Sequence, residues 1–109
     1  MDDVRKVRLR DEHVRGIRRY LEAYQDNQGN LHIDGQDLGP GAGLGDDDEY
    51  EWFKTVRAED VTTLLVLLGG GPEDDDVLDL LAARYTGAGS YELEKALRDS
   101  DIRVQIYVR

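Results

Sequence analysis

The sequence predicts an α+β domain: an antiparallel sheet of about four to five strands, with two or three helices from the second half packed on one face. Three observations carry this. Two strand-like segments, Tyr20–Gln25 and Asn30–Asp34, flank Asp26-Asn27-Gln28-Gly29, whose Asn and Gly tolerate the positive φ of tight turns. Residues 58–99 hold apolar stripes at helical spacing, interrupted by Gly69-Gly70-Gly71-Pro72 and by Gly87 and Gly89. Finally, Ile102–Arg109 alternates apolar and polar residues without a break.

Taken in order, residues 4–10 suggest a short edge strand, with Val7 and Leu9 alternating with Lys6, Arg8 and Arg10. Basic side chains there would discourage edge-to-edge pairing. Residues 11–25 have two readings. Val14, Ile17, Leu21 and Tyr24 sit at helical spacing, but the turn cluster favours a hairpin over about 18–37. We therefore expect a hairpin preceded by a short helical turn at 11–16. Tyr20, Glu22 and Tyr24 would share one face, and Leu21 and Ala23 the other.

Gly39–Gly45, with four glycines and a proline, reads as a loop. Tyr50–Val56 is rich in aromatic and β-branched residues and reads as a strand. One of its faces carries Tyr50, Trp52, Lys54 and Val56, the other Glu51, Phe53 and Thr55; either set suits a core. A helix is expected over 58–68, with Val61, Leu64, Leu65 and Leu68 as its apolar stripe. A second is expected over 73–85, with acids at its start and Val77, Leu80, Leu81 and Tyr85 on one side. A third would be capped by Ser90, run to about 99, and bury Leu93, Ala96 and Leu97. The closing strand should turn Ile102, Val104, Ile106 and Val108 to the core. No linker or repeat divides residues 1–109, so a single domain is expected.

The chain has 109 residues and a net charge of −10, unevenly placed. Residues 1–19 hold seven basic and four acidic side chains; the remainder hold seven and twenty. Such a field disfavours nucleic acid and anionic membranes and favours a basic protein partner. The absence of cysteine excludes disulfides and thiolate chemistry. With an acidic N-terminus and no long apolar run, a cytoplasmic location is expected. Arginine outnumbers lysine 11 to 3, a bias common in GC-rich bacteria.

No catalytic motif emerges. The loop lacks the Walker spacing, because Leu44 stands five residues after Gly39; it also fails G-x-G-x-x-G, and acids follow it. An EF-hand loop from Asp26 would put Leu31 where glycine is required. His13 and His32 have no zinc spacing, so His32 reads as a surface residue. Neither Ser90 nor Ser100 has a nucleophile-elbow context. No cofactor or metal is expected. The candidate site is instead a protein-binding one: Gln36 and Asp37 before the loop, then Asp46, Asp47, Asp48, Glu49, Tyr50, Glu51 and Trp52 after it. Carboxylates around aromatics suit a basic, partly apolar surface, the acids steering and the rings anchoring.

At Leu31–Gly39 and Tyr50–Phe53, with a helix opening near Ala58, the chain resembles a group of small, largely uncharacterised bacterial α+β proteins. They share the Gly-Gln-Asp-Leu-Gly segment, a following aromatic strand and a helical second half. In size and charge it is also similar to immunity proteins of bacterial toxin systems. That likeness implies a non-catalytic antitoxin-like domain recognising a basic toxin. The alternatives are a metal-dependent or acid/base enzyme using Asp37 with Asp46–Glu49, and a structural module that oligomerises through a strand edge.

Overall fold

A computed structural model describes residues 4–43, 48–71 and 76–109. Five strands form one antiparallel sheet in the order β1-β2-β3-β4-β5: Lys6–Val14, Ile17–Gln25, Leu31–Leu38, Glu49–Val56 and Val104–Val108. Among the described residues three helices lie between β4 and β5: α1 (Ala58–Leu67), α2 (Val77–Arg84) and α3 (Ala88–Asp99). The α+β architecture is the one expected. Among the described residues no helix is long and apolar enough to cross a membrane.

Strand parity divides the sheet into two faces. One presents Leu9, Leu21, Ala23, Leu31, Ile33 and Val56 to Val61, Leu64, Leu65 and Leu68 from the α1 segment, Leu80 and Leu81 of α2, and Leu93 and Leu97 of α3. These side chains form the core, each fully buried Leu or Ile contributing about 1.5–3 kcal/mol. Among the described residues the other face carries no helix. It holds Tyr20, Glu22, Tyr24, His32, Asp34, Gln36, Glu51, Phe53, Gln105 and Tyr107.

The β2–β3 hairpin forms with the expected facing of Tyr20, Glu22, Tyr24, Leu21 and Ala23. The helical turn at 11–16 does not form: β1 continues to Val14 and pairs with β2 through Val14 and Ile17. Its connection is a two-residue turn with Arg15 at φ 53° and Gly16 at φ 81°. Positive φ at both positions matches the right-handed twist of a hairpin. The helical spacing of Val14 and Ile17 is therefore the spacing of two residues flanking a tight turn. β1 also carries a bulge, with register shifting between Arg8 and Arg10. The extra residue turns both Leu9 and Arg10 inward, and Arg10, expected on the outer face, is only 4% exposed.

The α1 stripe is buried as expected. Helix α2 starts at Val77, capped by Asp76, whose side chain accepts from the amides of Leu78 and Asp79. The expected start of this helix at Glu73 lies outside the described residues. Helix α3 begins at Ala88, not at Ser90, with Gly87 as its N-cap. Ser90 sits inside the first turn, donates its hydroxyl to the Gly87 carbonyl, and is fully buried. On β5, Ile106 and Val108 turn to the helix side, opposite Lys54 and Trp52, but remain 62% and 45% exposed. The helices stop short of this edge, so the core does not reach it.

Candidate functional site

The loop before β4 begins at Gly39, whose amide donates to the Asp48 carbonyl at 2.9 Å. A Cβ at Gly39 would come within 2.6 Å of the Gly16 carbonyl oxygen, so the β1–β2 turn packs directly on this point. Its φ of 138° also favours glycine. Gly35 answers a different need. A Cβ there would lie 2.1–2.7 Å from Trp52 indole atoms, so the ring lies across the bare backbone of β3. Two glycines of the Gly-Gln-Asp-Leu-Gly segment are thus explained by close approach.

The candidate residues divide between the two faces. Asp37, Tyr50 and Trp52 lie on the helix side: Asp37 pairs with Tyr50, and Trp52 with Gly35. Tyr50 and Trp52 contact each other with centroids 5.5 Å apart, and Trp52 packs against the core. Gln36, Glu49 and Glu51 lie on the open face, where Gln36 Nε2 donates to Glu49 Oε1 at 2.8 Å. Asp37 and Glu49 therefore project from opposite sides of the sheet. Asp48 is exposed at the entry to β4; Asp46 and Asp47 lie outside the described residues.

Glu49 and Glu51 are two residues apart on one strand, hence on the same face, near enough for each carboxyl to shift the other. Their proximity pushes the Glu51 carboxyl up, while Glu51 and the Gln36 side chain hold the Glu49 carboxyl down. The Arg109 guanidinium lies 4.0 Å from Glu51. Together with Leu38 and Asp48 these residues line an open groove of about 540 Å³. Phe53 and Tyr107, with centroids 6.0 Å apart, continue the same face.

On the helix side, Asp37 stands opposite Arg19 on β2. Burial pushes its carboxyl up, while Arg19 and Arg10 pull it back. Arg19 Nε and Asp37 Oδ1 are buried and lack a hydrogen-bond partner among the described residues. Beside them Arg10 donates to Ser90 Oγ at 2.9 Å and to Glu94 at 2.5 Å, and stacks on Tyr91 at 3.6 Å. Lys54 adds a second cation 3.8 Å from Glu94. Sequence reasoning missed this cluster, because the bulge that turns Arg10 inward leaves no signature in an alternating basic strand.

No known protein family, curated protein or solved structure matches this chain.

His32, expected at the surface, lies on the open face and is half-buried there. It stacks on Tyr24 at 4.7 Å, with Nε2 2.8 Å from Asp26 Oδ2 and Nδ1 3.2 Å from Thr55 Oγ1. Asp26 also accepts from the amides of Gln28 and Asn30 and from the Asn30 side chain. Asn30 in turn accepts from the Ala58 amide at the start of α1. A polar groove of about 390 Å³ lies here, at the end of the sheet away from Glu49 and Glu51. Two of its lining side chains, Asn30 and Thr55, hold the hairpin and the helix entry in place. Among the described residues no group of three or more His, Cys, Asp or Glu could hold a metal ion.

The basic side chains of β1 and β2 are likewise engaged. Arg18 bonds Asp11 at 3.1 and 3.2 Å, and Lys6 lies 3.6 Å from Glu22. Arg8 and Arg18 both sit over the Tyr20 ring, at 5.2 and 5.5 Å. Across the open face, then, cations on the β1 side are paired, and carboxylates on the β4 side crowd one another.

Proposed function

We propose that this is a small, non-catalytic protein-binding domain of the antitoxin or immunity kind, and that it recognises a basic partner through the acidic end of its open sheet face. The observation that carries the reading is the placing of Glu49 and Glu51 on one face of β4, at the rim of an open groove with Arg109 beside Glu51. Two neighbouring like charges disfavour their joint ionisation. A guanidinium or ammonium from a partner would relieve that cost and make charge-assisted hydrogen bonds to both. The net charge of −10 supports the same reading, since it would steer a basic partner toward the domain. Phe53 and Tyr107 supply apolar area next to the acids. They replace Tyr50 and Trp52 in that role, because the latter pair belongs to the helix side.

The sign of the pH dependence follows. The partner's cation binds the doubly ionised pair, and the Glu51 carboxyl is pushed up by Glu49. Affinity should therefore be full above the raised Glu51 value and fall as the pH drops through it.

The test is capture from the source bacterium at low and high salt, with wild type and the Glu49→Lys, Glu51→Lys double variant. A single basic protein retained by wild type, released by salt and lost to the variant is expected, with an on-rate about tenfold lower or more after charge reversal. NMR shifts on adding that protein should map to Leu38, Asp48–Glu51, Phe53 and Tyr107. Equal capture by the double variant, or shifts confined to the helices, would sink the proposal.

A further inference from the structure

The two edges of the sheet differ in chemistry. The β1 edge is obstructed: it is charged at Lys6 and Arg8, it bulges, and its Leu9 carbonyl already accepts from the Gly87 amide at 2.8 Å. These are the devices by which edge strands avoid pairing. The β5 edge has no bulge, and its centre, Val104-Gln-Ile-Tyr-Val108, carries no charge. Ile106, Tyr107 and Val108 are 62%, 64% and 45% exposed.

The free hydrogen-bonding groups of β5 can be assigned. The Arg109 amide donates inward to the Glu51 carbonyl. Antiparallel strands alternate inward and outward groups, so the N–H and C=O of Val104, Ile106 and Val108 point away from β4. No described residue outside β5 hydrogen-bonds to them. Beside them, Leu97, Ile102, Val104 and Ile106, with Lys54 and Arg98, line a groove of about 290 Å³ between β5 and the end of α3.

We infer that the occupant of this edge is a second copy of the same chain, pairing β5 against β5 about a two-fold axis at Gln105 to give one continuous ten-stranded sheet. Both helix layers then lie on the same side. Outward groups meet only when residues of the same parity pair, and three such registers pair two or more of Val104, Ile106 and Val108 with one another. Centring on Ile106 sets Arg103 against Arg109 of the second copy, a like-charge pair. Centring on Tyr107 sets Arg109 against Gln105 and brings no opposite charges together. Centring on Gln105 sets Val104 against Ile106 twice, Arg103 against Tyr107, and Asp101 against Arg109. Apolar side chains then meet apolar, and opposite charges meet. Ile106 of the second copy, and Val108 opposite Ile102, fall on the helix side, where they cover the groove. The Ile102 amide already donates to Ser100 Oγ, so the new ladder ends at the Val104–Ile106 pairs.

Sedimentation equilibrium of the full chain tests this. The mass should rise with concentration from 12.3 kDa towards twice that value and stop there. Ile106→Lys should weaken association about tenfold or more, because it puts a charge among the paired apolar side chains. A mass that stays at one copy, one that grows past two, or an unaffected Ile106→Lys variant overturns the inference. The register has its own readout, since the chain has no cysteine. Gln105 of both copies would form a non-hydrogen-bonded pair, with Cα atoms about 4.5 Å apart, within disulfide reach. Gln105→Cys should cross-link under mild oxidation well ahead of Tyr107→Cys. Preferential cross-linking at position 107 rejects the Gln105 register.

Discussion

At the scale of single residues, Trp52 and Arg10 define what the helix side of the sheet will tolerate. The Trp52 ring occupies the space where a Cβ on Gly35 would sit. Gly35→Ala should therefore displace the indole and cost about 1–3 kcal/mol, as overpacking does. Trp52 is the chain's only tryptophan, so the change is read directly as a red shift of its emission. Unchanged emission and midpoint would show that the ring does not rest on β3. Arg10 poses the opposite problem, a charge with 3% side-chain exposure that depends on Glu94, Ser90 and the Tyr91 ring. Removing one member strands the other. Glu94→Ala should cost about 3–5 kcal/mol by urea denaturation, while Arg10→Met combined with Glu94→Leu should cost less than Glu94→Ala alone. A double variant less stable than Glu94→Ala alone would mean that the cluster holds the fold through more than charge compensation. This cluster is not legible in the sequence, since inward and outward positions of a basic strand look alike until a bulge is placed.

At the scale of elements, the loop between β2 and β3 is set by one carboxylate. The Asp26 carboxyl lies well below the usual range, chiefly through its hydrogen bond with His32 and further through Asn30 and Gln28. A folded value below the unfolded one, about 3.9, gives stability that is complete above that pH and lost as the pH falls below it. Asp26→Asn should therefore lower the urea midpoint at neutral pH and flatten its decline below about pH 4. An acid limb identical to that of wild type would assign the decline to other carboxylates. Asp76 does comparable work for α2, and Asp76→Ala should cost about 1 kcal/mol. Much at this scale was legible in the sequence, because the hairpin, the α1 stripe and the alternation of the last strand are local patterns. What was illegible depended on partners far along the chain. The faces of β4 could not be told apart, because Trp52 and Phe53 offer an aromatic to each; Gly35, seventeen positions earlier, decides between them. Asp37 and Glu49 looked like one acidic site and are separated by the thickness of the sheet, because strand parity places Gln36, not Asp37, beside Glu49.

At the scale of the whole molecule, stability should fall off across the sheet. Strands β2 and β3 are paired on both sides, and Leu21, Ala23, Leu31 and Ile33 have no exposed surface. Strand β5 is paired on one side only, joins β4 across residues 57–103, and has two inward residues that the helices leave uncovered. Long sequence separation and sparse burial both place it among the last regions to form and the first to open. Amide hydrogen exchange reads this residue by residue. The β2 and β3 amides should be protected to nearly the full unfolding free energy, about 5–15 kcal/mol for a domain of this kind. Within β5, protection should alternate in dilute solution. The amides of Gln105, Tyr107 and Arg109 donate to β4 and should exchange slowly. Those of Val104, Ile106 and Val108 point away from it and should exchange nearly as fast as open chain. Raising the concentration should slow the Val104 and Ile106 amides while leaving Gln105 and Tyr107 little changed, because only outward groups gain partners when two β5 edges meet. Uniform protection along β5 in dilute solution would show that its amides are not divided between two edges. Alternation that never responds to concentration would leave the ladder intact and rule out the second copy.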